Sequence, residues 1–283
     1  MAFIIMIIFI GVAGYVYFIH VKQTIIDEKK NELATIAKLK VDQISQWRAE
    51  RIGDASTIHH NSMLAVRLAD YFAGTAPGTV LDEFKVWMND LRKSYGYSGI
   101  TLYKADGSLL VSYDKAGTQP DLISKQLIER AVRNPEVYFS DLHRDKDAGA
   151  IHLNLVIPIG YSAGKNFTTT AVMLLDIDPN KFLNPLIQTW PTNSKSAETM
   201  LVERSGQDAL ILNEMRYRSG KALSFRIPLT NENIPAVRAV LGQEWTGEGK
   251  DYSGVDVLAA TRKIPGSPWA IVTKVDLSEI YGP

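Results

Sequence analysis

The hydrophobic pattern changes period several times along the chain, and each change marks an element. Residues 2–19, "AFIIMIIFIGVAGYVYFI", carry no charged side chain. About 20 helical residues cross the hydrocarbon core of a bilayer, so a membrane span is predicted over 2–20. Tyr15, Tyr17 and His20 suit its interfacial end, and Lys22 opens the polar region. A cleaved signal peptide fits less well. No basic residue precedes the apolar run, and the small-x-small site from Gly11 to Ala13 lies inside it. Beyond Lys22 the period becomes helical. Leu33, Ala37, Val41, Ile44, Trp47, Ile52 and Ala55 recur on one face. One long amphipathic helix is predicted over 21–60. Its heptads are too irregular for a continuous coiled coil, but a homodimer contact along it is expected.

"MLAVRLADYFAG" and "VLDEFKVWMNDLRKSYG" read as two further helices, separated by Gly74, Pro77 and Gly78. Then the period falls to two. "YSGITLYKADGSLLVSYD" reads as a hairpin turning at Asp-Gly. "DLISKQLIERAVRN" is an amphipathic helix ended by Asn134-Pro135. "VYFSDL", "IHLNLVIPIG" and "TTTAVMLLDID" read as strands, the first two joined by the polar turn "HRDKDAGA", and "PNKFLNPLIQTW" as a closing helix. A shorter version follows. It comprises a hairpin in "SAETMLVERSGQDALILNEM", a helix in "NIPAVRAVLGQEW", and two strands around "PGSP" in the segment ending "TKVDL". "LSEIY" then starts another helix. The order predicts an α+β fold with two antiparallel sheets, each flanked by helices, over 61–185 and 186–283. The repetition is one of element order, not of sequence.

Composition narrows the function. With 31 basic and 31 acidic residues the chain lacks the basic footprint of a general nucleic-acid binder. Cysteine is absent, which removes disulfides and thiolate metal sites. Phosphate-binding, dinucleotide, zinc-protease and nucleophile-elbow motifs are missing, so no catalytic residue and no cofactor is assigned. Ser98 and Ser253 sit in turns without the glycine spacing of a nucleophile. "DLHRDKDAG" alternates Asp141, His143, Asp145 and Asp147, yet a calcium loop starting there needs Gly where Lys146 stands and Glu where His152 stands. It reads as a solvated turn, and no metal site is assigned. His59 and His60 are adjacent and diverge on a helix, and Trp269 reads as a core anchor.

The strand "IHLNLVIPI" is more informative. Ile151, Leu153, Leu155 and Ile157 share one face, and His152 and Asn154 share the other with Val156. If protein covers that second face, both polar groups need partners. These are a small polar ligand or neighbouring loops. Asp176 ends an apolar strand, and Asp178, immediately before Pro179, is the better helix cap.

Three segments carry a resemblance: "IAKLKVDQISQWRAERIGDA"; "VYFSDLHRDKDAGAIHLNLVIPIG" with "AVMLLDIDPNKF"; and "GKDYSGVDVLAATRKIPGSPWAIVTKVDLSEIYGP". Together they resemble the double Cache, or tandem PAS-like, sensor domains of bacterial and archaeal transmembrane receptors, most of all those of sensor histidine kinases. The resemblance implies an N-terminus inside the cell and both sheets outside it, periplasmic or extracellular. Lys22, Lys29 and Lys30 do not favour that orientation by themselves. It also implies a membrane-distal unit at 61–185, a membrane-proximal one at 186–283, and a second membrane helix with a histidine kinase or diguanylate cyclase module after Pro283. The expected activity is ligand sensing and signal transmission without catalysis. Asp176 falls where amino-acid-binding members hold the ligand amine. The aromatic-rich arginine motif of that subfamily is missing between Arg92 and Asp121, so the ligand stays open among small carboxylates, amines and amino acids. Tyr103, Tyr138 and Asp141 are expected on strands bordering the same cavity as His152, Asn154 and Asp176. The competing reading is a membrane-anchored extracytoplasmic enzyme or adaptor with an unfamiliar site.

Overall fold

The computed structural model describes residues 2–113, 120–144, 149–163 and 166–282. Helix α1, Ala2–His59, is one uninterrupted 58-residue element. It contains no proline, and its span of about 87 Å joins the predicted membrane span to the predicted stalk without a break. Its apolar start is long enough to cross a membrane and lies wholly exposed. The chain forms two compact units, one from Gln46–Leu183 and one from Met1–Ser45 with Asn184–Pro283. The long helix therefore contributes to both.

In the Gln46–Leu183 unit, α2 (Ser62–Phe72) and α3 (Thr79–Tyr95) precede the hairpin of β1 (Gly99–Lys104) and β2 (Leu109–Ser112). Helix α4 (Leu122–Arg133) leads to the short strands β3 (Tyr138–Phe139) and β4 (His143–Arg144), then to the long pair β5 (Ile151–Ala163) and β6 (Asn166–Ile177). The sheet runs β2-β1-β6-β5-β3, with β4 added to β5, and its pairings are antiparallel. Part of the predicted solvated turn "HRDKDAGA" is thus strand. Asp145, Lys146 and Asp147 of that turn lie outside the described residues.

The alternation of β5 commits its two faces differently. Leu153, Leu155, Ile157 and Ile159 are fully buried on one face, with Met173 and Leu175 of β6. Helix α2 packs on β5 and β6, and His59 Nδ1 lies 2.6 Å from the Pro158 carbonyl. Near the end of α1, Trp47 stacks on Phe182 at 5.2 Å and meets Phe139 edge-on at 5.8 Å. The other face carries Val156, Val172 and Leu174, which pack with Tyr103 of β1 and Ile128 and Ala131 of α4. At Gly160 the backbone approaches so closely that a Cβ would lie 2.2 Å from the Thr168 carbonyl oxygen, which only glycine permits.

In the second unit, α5 (Leu183–Gln188), preceded by the 3-10 turn Pro179–Lys181, leads into β7 (Glu198–Ser205), β8 (Asp208–Ile211) and β9 (Arg226–Pro228). Then come α6 (Pro235–Val240), β10 (Trp245–Lys250), β11 (Asp256–Lys263), β12 (Trp269–Asp276) and α7 (Leu277–Tyr281). The sheet order is β10-β11-β12-β7-β8-β9. Two strands of this unit, β9 and β10, were not legible. The predicted helix through Trp245 stops at Val240 because Gly242 turns the chain with φ 79°, and Trp245 instead pairs with Thr261. Trp269 is fully buried, as its core reading required.

Two buried lysines tie this unit together. Lys40 donates to the carbonyls of Leu186, Ile187 and Thr189 at 2.7, 3.1 and 2.7 Å. It thereby satisfies acceptors at the end of α5, while burial draws its pKa down to about 8. Lys274 of β12 lies 2.7 Å from Asp251, 3.4 Å from Glu198 and 3.6 Å from Asp276. Its ammonium also sits over the Tyr217 and Tyr252 rings at 5.7 and 5.5 Å. Burial pulls its pKa down, but the Asp251 hydrogen bond and the surrounding carboxylates outweigh this and raise it. At the chain's end, Glu279 accepts from the Lys195 and Ser196 amides, and Lys22 lies 4.4 Å over the Tyr281 ring.

Removing Lys274 would strand Glu198 and Asp251, which are almost fully buried. Lys274→Ala is therefore expected to cost about 3–5 kcal/mol in denaturant unfolding of the chain. An unchanged midpoint would show the cluster contributes nothing to stability.

Candidate functional site

The α4 side of the first sheet is where polar groups gather. The register pairs Asn154 with Asp176 and Val156 with Leu174 across β5 and β6, and Gly99 with Asp176 across β1 and β6. Asn154 and Asp176 therefore share the face that α4 covers. Asn154 is buried. Its amide oxygen accepts from Ser124 Oγ at 2.5 Å, and its amide nitrogen donates to Asp176 Oδ1 at 2.7 Å and to the Leu153 carbonyl at 3.0 Å. Its backbone amide donates to Ser140 Oγ at 2.7 Å. Asp176 also uses its backbone carbonyl, which accepts from the Ser98 amide at 2.9 Å. The cap before the closing turn is Asp178, accepting from the Asn180 amide at 2.9 Å, so Asp176 is not spent on capping.

Beside this pair lies a second group. Asp121 is the N-cap of α4 and accepts from the Ser124 amide through Oδ1 at 2.7 Å. Its other oxygen, Oδ2, lies 2.9 Å from His143 Nε2 and 3.2 Å from His152 Nε2. The β4–β5 register sets His143 directly opposite His152, with ring centroids 4.5 Å apart. Burial pushes the Asp121 carboxyl up. The bonds to His143 and His152 and the Ser124 amide outweigh it, so the group stays ionised far below the usual carboxylate range.

A cleft of about 750 Å³ opens farther along α4. Tyr103 and Ile128 give it an apolar floor, and Asp106, Lys125, Glu129 and Arg133 line it with charges of both signs. The six residues expected around one cavity are thus distributed. Tyr103 lines the cleft. Tyr138 packs against the same apolar cluster, under Arg130 at 4.6 Å, and its hydroxyl donates to the Asn134 carbonyl at 3.0 Å. His152, Asn154 and Asp176 lie in the polar groups around the start of α4. Asp141 departs from expectation. It falls between β3 and β4, not on a strand, and is exposed. Its carbonyl accepts from Ser140 Oγ and pairs with His143 Nδ1, both at 2.9 Å, and its charge faces Arg48.

Asp121, Ser124 and His143 were missed. Asp121 opens the helix segment "DLISKQ" and is legible as a cap. That it meets two histidines from another hairpin is a long-range fact with no local signal. His143 was read in a solvated turn, whereas pairing with β5 turns it inward.

No curated protein sequence matches the chain. Solved structures do. The ligand-binding domain of the Campylobacter jejuni chemoreceptor Tlp3, in complex with L-norvaline, superposes with a TM-score of 0.64 at 14% identity, covering 92% of this chain and 95% of that one. The ligand-binding domain of the Pseudomonas aeruginosa PAO1 amino acid chemoreceptor PctB, in complex with L-Gln, gives 0.59 at 12% identity, with 89% and 93% covered. The ligand-binding domain of Mlp24 with asparagine gives 0.60 at 16% identity, with 92% and 97% covered. At such identities the likeness establishes the fold. A family profile described as Cache domain, of the double Cache type, matches residues 21–283. With two units of mixed helix and antiparallel sheet behind one long helix, the chain belongs to the Cache family of extracytoplasmic, non-enzymatic ligand-binding sensor domains.

Proposed function

We infer that this chain is the sensing and signal-transmitting region of a transmembrane receptor, and that its ligand is a small molecule carrying both charge signs, of the amino-acid class. The observation that carries the reading is the cleft in the Gln46–Leu183 unit, where an apolar floor at Tyr103 and Ile128 meets Lys125, Arg133, Asp106 and Glu129. A carboxylate and an ammonium on one ligand suit such a lining. The Tlp3, PctB and Mlp24 domains, whose structures contain L-norvaline, L-Gln and asparagine, support the class. In this reading residues 2–20 span the membrane, the chain after them lies outside the cytoplasm, and the sheet unit at 61–185 is the membrane-distal one. The output is a histidine kinase by the resemblance of the terminal segment. A chemoreceptor output stands beside it because the similar solved domains are chemoreceptors.

Titration of the chain with the common L-amino acids, and with acetate and ethylamine as single-charge controls, is expected to raise the melting temperature for a true ligand. Native-state binding at 100 times Kd adds about 2.7 kcal/mol. Tyr103→Ala and Arg133→Ala should weaken that ligand at least about tenfold, or about 1.4 kcal/mol. If both bind normally and Asp176→Asn alone loses affinity, the ligand sits at the Asn154–Asp176 pair instead. If none of the twenty amino acids stabilises the chain, the ligand class is wrong.

The topology has its own test. Reporter fusions after Thr57 and after Ser267 should both read as extracytoplasmic, and cytoplasmic signal from both would sink the assignment.

Transmission through a homodimer along α1 completes the reading. Lys38 and Gln46 are exposed on that helix. Spin labels there, in the full-length receptor, are expected to give interchain distances that differ with and without ligand, because packed helices shift between discrete arrangements. Identical distance distributions with intact signalling would exclude this route.

A further inference from the structure

Both ring nitrogens of His143 face oxygen acceptors. Its Nδ1 lies 2.9 Å from the Asp141 carbonyl oxygen, which can only accept, so Nδ1 carries a hydrogen. Its Nε2 lies 2.9 Å from Asp121 Oδ2, which as a carboxylate also only accepts. With its hydrogen on Nδ1, the ring points the Nε2 lone pair at that oxygen, so two donor atoms face one another as two ligands of one ion do. The ring is buried, at 6% exposure.

The surroundings match those of a metal centre. A ring nitrogen fixed by a backbone carbonyl, with the other nitrogen aimed at the ion, is the usual support of a histidine ligand. Asp121 is held likewise: Oδ1 is occupied by the Ser124 amide at 2.7 Å, leaving Oδ2 to face both rings. His152 brings a second Nε2 to the same oxygen, and the three donor atoms lie within 4.8 Å of one another. Ligands at 2.0–2.1 Å from a tetrahedral ion stand about 3.3 Å apart. The separations of 2.9 and 3.2 Å from Oδ2 to the two nitrogens are already close to that spacing. Two imidazoles and one carboxylate form a set that suits zinc and its first-row neighbours, not calcium or magnesium.

We propose that Asp121, His143 and His152 form a binding site for a divalent transition-metal ion, completed by a solvent or ligand atom in the fourth position. The site clamps the N-terminus of α4 to the β4–β5 pair. It lies in the same unit as the cleft but uses none of the cleft's lining residues, so it stands or falls independently of the amino-acid reading.

The test uses the whole chain in detergent, stripped with a chelator and titrated with Zn²⁺ alone in a His60→Gln background, which removes the ring lying 4.7 Å from that of His59 at the end of α1. One ion per chain is expected in calorimetric titration. X-ray absorption should show imidazole nitrogens at about 2.0–2.1 Å. Asp121→Asn keeps a good helix cap while removing the charge, and His152→Ala alters the more exposed of the two rings. Each is expected to weaken Zn²⁺ by about 100-fold or more, because even supporting partners of a ligand carry about 10–100-fold. Failure to saturate at one ion per chain would overturn the proposal. Undiminished binding in both folded variants would overturn it equally.

Discussion

Strand β5 is covered by protein on both faces, and much of the Gln46–Leu183 unit follows from that constraint. One face needs no explanation beyond burial, since Leu153, Leu155, Ile157 and Ile159 are all apolar. The other carries His152 and Asn154 under α4, where an unpaired polar group costs about 1–3 kcal/mol. The unit meets the demand from three directions. Asp121 comes from the start of α4, Ser124 from its first turn, and Asp176 from the neighbouring strand. The same residues that hold α4 against the sheet therefore fix the polar floor beside the cleft. A change in what occupies this face is a change in how α4 packs.

The second unit meets the matching constraint with opposite chemistry. Across β1 and β6, Asp176 stands opposite Gly99, and across β7 and β12, Lys274 stands opposite Glu198. Each is the residue two places before the aspartate at the end of its sheet's closing segment, Asp178 or Asp276. Where the first unit presents a carboxylate, the second presents an ammonium, already enclosed by Asp251, Glu198, Tyr217 and Tyr252. An acidic and aromatic cage of this kind suits a cationic guest, and the chain supplies its own.

Much of this was legible along the chain. The uncharged run at 2–19 fixed a long apolar helix, and the alternation of "IHLNLVIPI" separated the two faces of β5 correctly. The Asp-Gly and Ser-Gly turns marked both hairpins, and Asp178 before Pro179 marked a cap that the structure contains. These features are local, because periodicity, turn chemistry and capping act within a few residues. Strands β9 and β10 escaped because they are short or carry glycines, and sheet pairing rather than propensity makes them strands. Asp141 was assigned to a strand by the same shortfall, since where a strand of two residues ends is decided by its partner.

The sequence by itself determined most of the order of elements, the double repetition, the long apolar helix and the polar face of β5, because each is encoded in neighbouring residues. Only the tertiary structure decided that Asp121 meets His143 and His152, that Asn154 bridges Ser124 and Asp176, and that Lys274 closes its own cage. Those contacts join residues from 22 to 76 positions apart, as the pairs Asp121–His143 and Glu198–Lys274 show. The register of one strand against another, and the docking of a helix on a sheet, bring them together, and neither leaves a trace in local pattern. The chemistry of the site is therefore a property of packing, written in residue types whose meaning appears only when the faces close.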